Sequence, residues 1–120
     1  MTAAGAASLA TGTFYKIDQQ ATGTVTSYRL PNGSHALRLD DFFVSPNAEL
    51  EVRLSPLPAP QTTDEYTAAP SELVTKLDVT TGSLNFEVPA SIDPARFRSV
   101  VIWCQLVNSA YGAATLGPVQ

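Results

Sequence analysis

The only cysteine and the only tryptophan of the chain stand side by side as Trp103 and Cys104, inside the stretch SVVIWCQLVNSAYG that runs from Ser99 to Gly112. A thiol can oxidise or ligate a metal or haem iron, and both reactions proceed through the thiolate. A stable thiolate needs positive charge or a helix N-terminus close by. Strand alternation sends Val100, Ile102, Cys104 and Leu106 to one face and Val101, Trp103, Gln105 and Val107 to the other. Both faces are mostly apolar, which predicts a central strand between layers with Cys104 pointing into packed protein. On residue chemistry alone Cys104 is a small core hydrophobe or a redox centre, and apolar neighbours on its own face favour packing.

Other chemistry-bearing residues are sparse. The single histidine, His35, follows a turn and reads as a strand-end or solvent-facing side chain. With no Cys-x-x-Cys-His motif and no Cys/His cluster, a structural zinc site and a covalently attached haem are excluded, whereas a thiolate-ligated haem needs only one protein ligand and stays open through Cys104. Asp40-Asp41-Phe42-Phe43 places two carboxylates on opposite faces of a strand, where they cannot share a proton or substrate. Such acids, with Asp18 or Asn47, could hold calcium, but a solvated turn is the default reading. A Ser-His-Asp hydrolase would have to use His35, and no serine lies in a Gly-x-Ser-x-Gly elbow. The seven basic residues are scattered along a chain of net charge −4. That distribution argues against a nucleic-acid partner.

The elements that would position Cys104 are strands. At 120 residues the chain fits one domain with its own core. The small-residue start to Thr11 reads as a disordered tail (residues 1–11), followed by a single domain over residues 12–117. Strands are expected at Gly12–Ile17 and Gly23–Leu30, paired as a hairpin, then at His35–Leu39 beyond the Pro31-Asn32-Gly33-Ser34 turn. Leu50, Val52 and Leu54 alternate with Glu49, Glu51 and Arg53, a half-buried pattern. Four prolines between Ser55 and Glu72 predict an extended surface loop. Strands resume at Leu73–Leu77 and Leu84–Val88. Asp93 then caps a short helical turn with Pro94 at its first position, near residues 93–97. Ser99 opens the central strand, and Tyr111–Leu116 forms the last one. The sum is an all-β fold, an antiparallel sandwich or flattened barrel of about eight strands.

Read in order, these segments resemble the DM-thirteen domain, an electron-transfer module of exported bacterial proteins that also occurs beside DOMON domains in animal cell-surface proteins. The resemblance rests on Ser99-Val100-Val101-Ile102-Trp103-Cys104 with the close Tyr111-Gly112-Ala113-Ala114-Thr115-Leu116. It also rests on Gly12-Thr13-Phe14, Gly23-Thr24-Val25, Leu37–Phe42, Leu50–Ser55 and Gly82–Pro89 leading to Ile92-Asp93. It covers roughly Gly12 to Leu116. Where the family often carries a Gly-Pro-Asp turn, this chain has Ser45-Pro46-Asn47-Ala48, and its loop from Ser55 to Glu72 is longer than usual. The resemblance implies a redox role for Cys104, as a bare thiol or as ligand to a prosthetic group such as haem, with Trp103 beside it. It further implies a redox partner protein or domain and an extracytoplasmic location, whether secreted, periplasmic or membrane-anchored. The start MTAAGAASLATGTF has neither a basic flank nor a long apolar run, so no direct membrane insertion is expected, and the reading is either a cytosolic protein or one whose leader was trimmed off and replaced by a start Met. The competing expectation is an extracellular binding or scaffold domain in which Cys104 only packs.

Overall fold

A computed structural model describes residues 6–118 as one antiparallel sheet curled into a nearly closed barrel. The strands are β1 (Ala7–Lys16), β2 (Ala21–Arg29), β3 (His35–Val44), β4 (Leu50–Ser55), β5 (Glu72–Leu77), β6 (Thr81–Val88), β7 (Ser99–Cys104), β8 (Ser109–Thr115) and the short β9 (Gly117–Pro118). Their spatial order is β5-β4-β7-β8-β1-β2-β3-β6, with β9 added to β1. The two end strands, β5 and β6, lie against each other without joining in a ladder. The expected all-β flattened barrel is therefore the observed architecture. Among the described residues no helix is long and apolar enough to cross a membrane.

The barrel closes because β1 serves two partners. Its first part pairs with β2, from Ala7 opposite Arg29 to Thr13 opposite Thr24, and its end pairs with β8, Phe14 opposite Ala114 to Lys16 opposite Gly112. Glycine is needed where backbones cross this closely. A Cβ on Gly112 would stand 2.3 Å from the Ala21 Cβ and 2.7 Å from the Tyr15 carbonyl oxygen. Inside the barrel, Leu50, Val52 and Leu54 of β4 and Val100, Ile102 and Cys104 of β7 meet Leu37, Leu39 and Phe42 of β3 in the main core. The Phe14 and Phe42 rings pack edge to face with centroids 5.2 Å apart.

Four sequence expectations change. Strand β1 begins at Ala7, so the disordered tail does not extend to Thr11; Ala10 and Thr11 are paired with both β2 and β9. Backbone pairing holds these small residues where side-chain burial could not, and the first five residues of the expected tail lie outside the described part. Strand β3 runs past Leu39 to Val44 through a bulge at Asp41, which has a φ of 49°. The extra residue resets the alternation, so Phe42 rather than Asp41 turns inward. Strand β7 stops at Cys104, leaving Leu106 and Val107 exposed in a tight turn to β8 rather than on its two faces.

The fourth change is a helix, α1 (Thr63–Thr67), inside the proline-bearing loop. Thr62 caps it by accepting from the Glu65 N–H at 3.0 Å, and Glu65 reaches back to the Gln61 N–H at 3.2 Å. The signal was Thr62-x-x-Glu65, a capping pattern overshadowed by the flanking prolines. The expected turn near Pro94 forms as a 3-10 turn over Pro94–Arg96, capped by Asp93 accepting from Ala95 N–H at 3.1 Å.

Candidate functional site

Strand β7 lies between β4 and β8, with Cys104 opposite Leu50 on one side and Ser109 on the other. The central position predicted for it is what the sheet shows. All six of its residues are buried, because its inner face meets the barrel core and its outer face is covered by α1. Cys104 is a free cysteine with zero exposure. Its thiol donates to the Ala48 carbonyl oxygen at 3.4 Å. That acceptor comes from the Ser45–Ala48 turn. The turn is held in place by Asn47, whose amide donates to the Tyr111 hydroxyl at 2.7 Å and whose carbonyl oxygen accepts from the Ala48 N–H. Glu49 follows with a φ of 57°, and its carbonyl accepts from Gln105 N–H at 2.9 Å, closing the end of the barrel over the sulfur.

Trp103 points the other way. It packs in a second, outer cluster with Tyr66, Val101, Ala110 and Ala113, flanked by Tyr15 and Ile17. Its ring and that of Tyr66 are tilted by 35° with centroids 5.1 Å apart, and its indole N–H donates to Gln105 Oε1 at 2.8 Å. Tyr66 is delivered by α1. Its hydroxyl shares a hydrogen bond of 2.6 Å with Ser71 Oγ, which also accepts from Arg53 Nε at 2.9 Å. Burial pushes the Tyr66 hydroxyl above the ordinary tyrosine range, partly offset by the Ser71 hydrogen bond and the Arg53 charge. Arg53 is itself paired with Glu51 at 2.8 Å. A surface cleft of about 240 Å³ opens beside Arg53, Tyr66 and Trp103. It reaches the indole but not the sulfur, which the sheet separates from it.

Helix α1 is pinned by a polar clasp. Thr63 Oγ1 accepts from the Ala110 N–H at 2.9 Å and donates to Asp18 Oδ2, which also accepts from Ser109 Oγ. These two hydroxyl donors hold the Asp18 carboxyl below the usual carboxylate range. Asp18, considered above as a calcium ligand, is thus engaged in joining three elements. Asp40 accepts from Arg38 Nε at 2.8 Å and from Ser83 Oγ at 3.3 Å, while Asp41 is exposed at its bulge. Among the described residues no group of three or more His, Cys, Asp or Glu side chains converges as a metal site.

His35 and Cys104 are not brought together. His35 lines a cleft at the opposite end of the barrel, together with Leu54. Leu54 is the register partner of Val100, four positions along β7 from Cys104. That separation is about 13 Å along the strand. Sequence reasoning singled out Trp103 and Cys104 but missed Tyr66 and the Asp18–Thr63–Ser109 clasp, because those contacts join residues 45 and 91 positions apart.

Comparison with curated proteins and with solved structures returns no match. A family model described as electron transfer DM13 matches residues 13–116, nearly the whole chain. The match spans every strand that builds the barrel around Cys104, from the end of β1 through β8, and the chain belongs to the electron transfer DM13 family.

Proposed function

We propose that this domain is an electron-transfer module of an extracytoplasmic or cell-surface protein, working beside a redox partner protein or domain, with Cys104 packed in the barrel core rather than freely exchanging. The family match supports the electron-transfer part, and the Thr-, Ser-, Ala- and Pro-rich, lysine-poor composition is consistent with export. One observation carries the reading of Cys104: its sulfur has zero exposure, with apolar Leu50 and Ile102 beside it and the thiol hydrogen donated to Ala48. A sulfur so enclosed is out of reach of reagents in solution.

The same observation bears on haem. An iron held by Cys104 would need open space at the sulfur, and the residues enclosing it leave none. They do not fit a haem ligand in this conformation. Thiol exchange or metal ligation at Cys104 therefore requires the sulfur to be uncovered first. The test is titration of the native protein with a thiol reagent, paired with an absorbance scan during haem addition. The expected result is no thiol reaction until denaturant is added, and haem spectra identical for the native chain and Cys104→Ala. Stoichiometric labelling of the native fold, or a haem band lost in the variant, would overturn the packed-thiol reading.

A further inference from the structure

At the barrel end remote from Cys104 lies a cleft of about 370 Å³ whose walls are Leu37, Leu54, Phe97 and Leu116. That volume is in the range of small-molecule sites and accommodates a ring system of one or two fused rings. Two polar side chains enter this apolar space from adjacent strands. Ser27 of β2 is opposite Leu37 of β3, and His35 is two residues from Leu37, on the same face. Both side chains line the cleft, and because no buried side-chain nitrogen or oxygen among the described residues lacks a partner, the Ser27 hydroxyl and the His35 imidazole are open to the cleft rather than sealed away from it. Facing the cleft, each is free to donate to or accept from a molecule bound there. The other two buried serines are turned toward the chain itself: Ser55 Oγ accepts from Leu57 N–H and Ser99 Oγ donates to Leu57 O.

We propose that this cleft is a binding site for a neutral, largely apolar ring compound carrying a carbonyl or hydroxyl oxygen, with Ser27 and His35 hydrogen-bonded to that oxygen. Diagonal positions on paired strands are about 7 Å apart, which lets one oxygen-bearing ring edge engage both side chains. The ligand is neutral because Asp93 stands at the rim, where a second carboxylate or a phosphate would be repelled. The apolar walls bury the ring and the two polar groups select the oxygen, the division of labour usual in small-molecule pockets. This site is separate from Cys104 and does not depend on how the domain handles electrons.

The experiment compares 2-naphthol with naphthalene, its oxygen-free counterpart, by amide chemical-shift titration of the folded protein. The expected result is saturable one-to-one binding of 2-naphthol with shifts centred on Ser27, His35, Leu37 and Phe97. Ser27→Ala and His35→Phe should each weaken 2-naphthol about tenfold and leave naphthalene unchanged, since both variants keep the shape of the wall. Ala95→Trp, placed on the exposed 3-10 turn at the cleft, should abolish binding of both probes while circular dichroism stays native. Absence of saturable binding would overturn the proposal. So would equal affinity for the two probes with no effect of Ser27→Ala, which would reveal a slot that merely takes up grease.

Discussion

Replacing Cys104 with alanine tests whether the sulfur is structural, and its cost can be worked from the surroundings. The side chain is fully buried in the main core, so deleting the sulfur loses the transfer energy of roughly one methylene, about 0.8 kcal/mol. The barrel around it is built from paired strands that cannot collapse inward. A residual cavity of roughly 25 Å³ therefore remains, costing about 0.6 kcal/mol. The weak bond to Ala48 is lost as well, although Ala48 lies on an exposed turn where water can replace the thiol. The total is about 1.4 kcal/mol. For a domain of this size that is a drop in Tm of about 6 °C, with the urea midpoint lowered and its slope unchanged. Equilibrium urea unfolding of the native chain and Cys104→Ala measures it. A change below about 0.5 kcal/mol would refute the packing argument, because a sulfur that contributes nothing to stability is not in a closed core.

Two further outcomes follow from the outer layer. Thr62→Ala removes the cap of α1 and should cost about 1 kcal/mol, and loosening of Tyr66 over Trp103 should shift the emission of the lone tryptophan to longer wavelength. An unchanged spectrum would mean that the helix does not cover the indole. The Asp18 carboxyl titrates below its ordinary value in the folded chain, so its stabilising effect is present above the unfolded carboxylate pKa and is lost as pH falls through the lower folded value. Because Asp18 is exposed, the effect is modest. Asp18→Asn should flatten the acid limb of a stability-against-pH curve below about pH 4 while leaving its alkaline side unaltered; an acid limb as steep as before would remove the clasp from the account.

Local patterns in the chain were enough for the class of fold and for the face on which each residue of β7 lies. Two-residue alternation through Val100, Ile102 and Cys104, and the opposite set Val101 and Trp103, is a property of the backbone that holds wherever the strand is placed. The Asn32-Gly33 turn and the Asp93-Pro94 start were readable for the same reason, since Gly33 takes a φ of 87° and Asp93 caps within two residues. What lies over each face could not be read that way. The α1 cap at Thr62 was written in the sequence, but its seat above Trp103 depends on Thr63 meeting Asp18 and Ala110, residues remote along the chain. Likewise the bulge at Asp41 reverses an alternation that sequence alone would have continued, because the β3–β6 register must slip for Phe42 to reach Phe14.

The fate of the sulfur belongs to this second kind of fact. Alternation placed Cys104 inward; only the tertiary structure decided that Ala48 closes over it and that His35 stands at the far end, beside Ser27 on one wall of an apolar cleft. Side-chain direction is set by neighbouring bonds, whereas enclosure is set by which distant strands meet. The strand order, β4 and β8 on either side of β7, is the decision that one strand's residues cannot make by themselves.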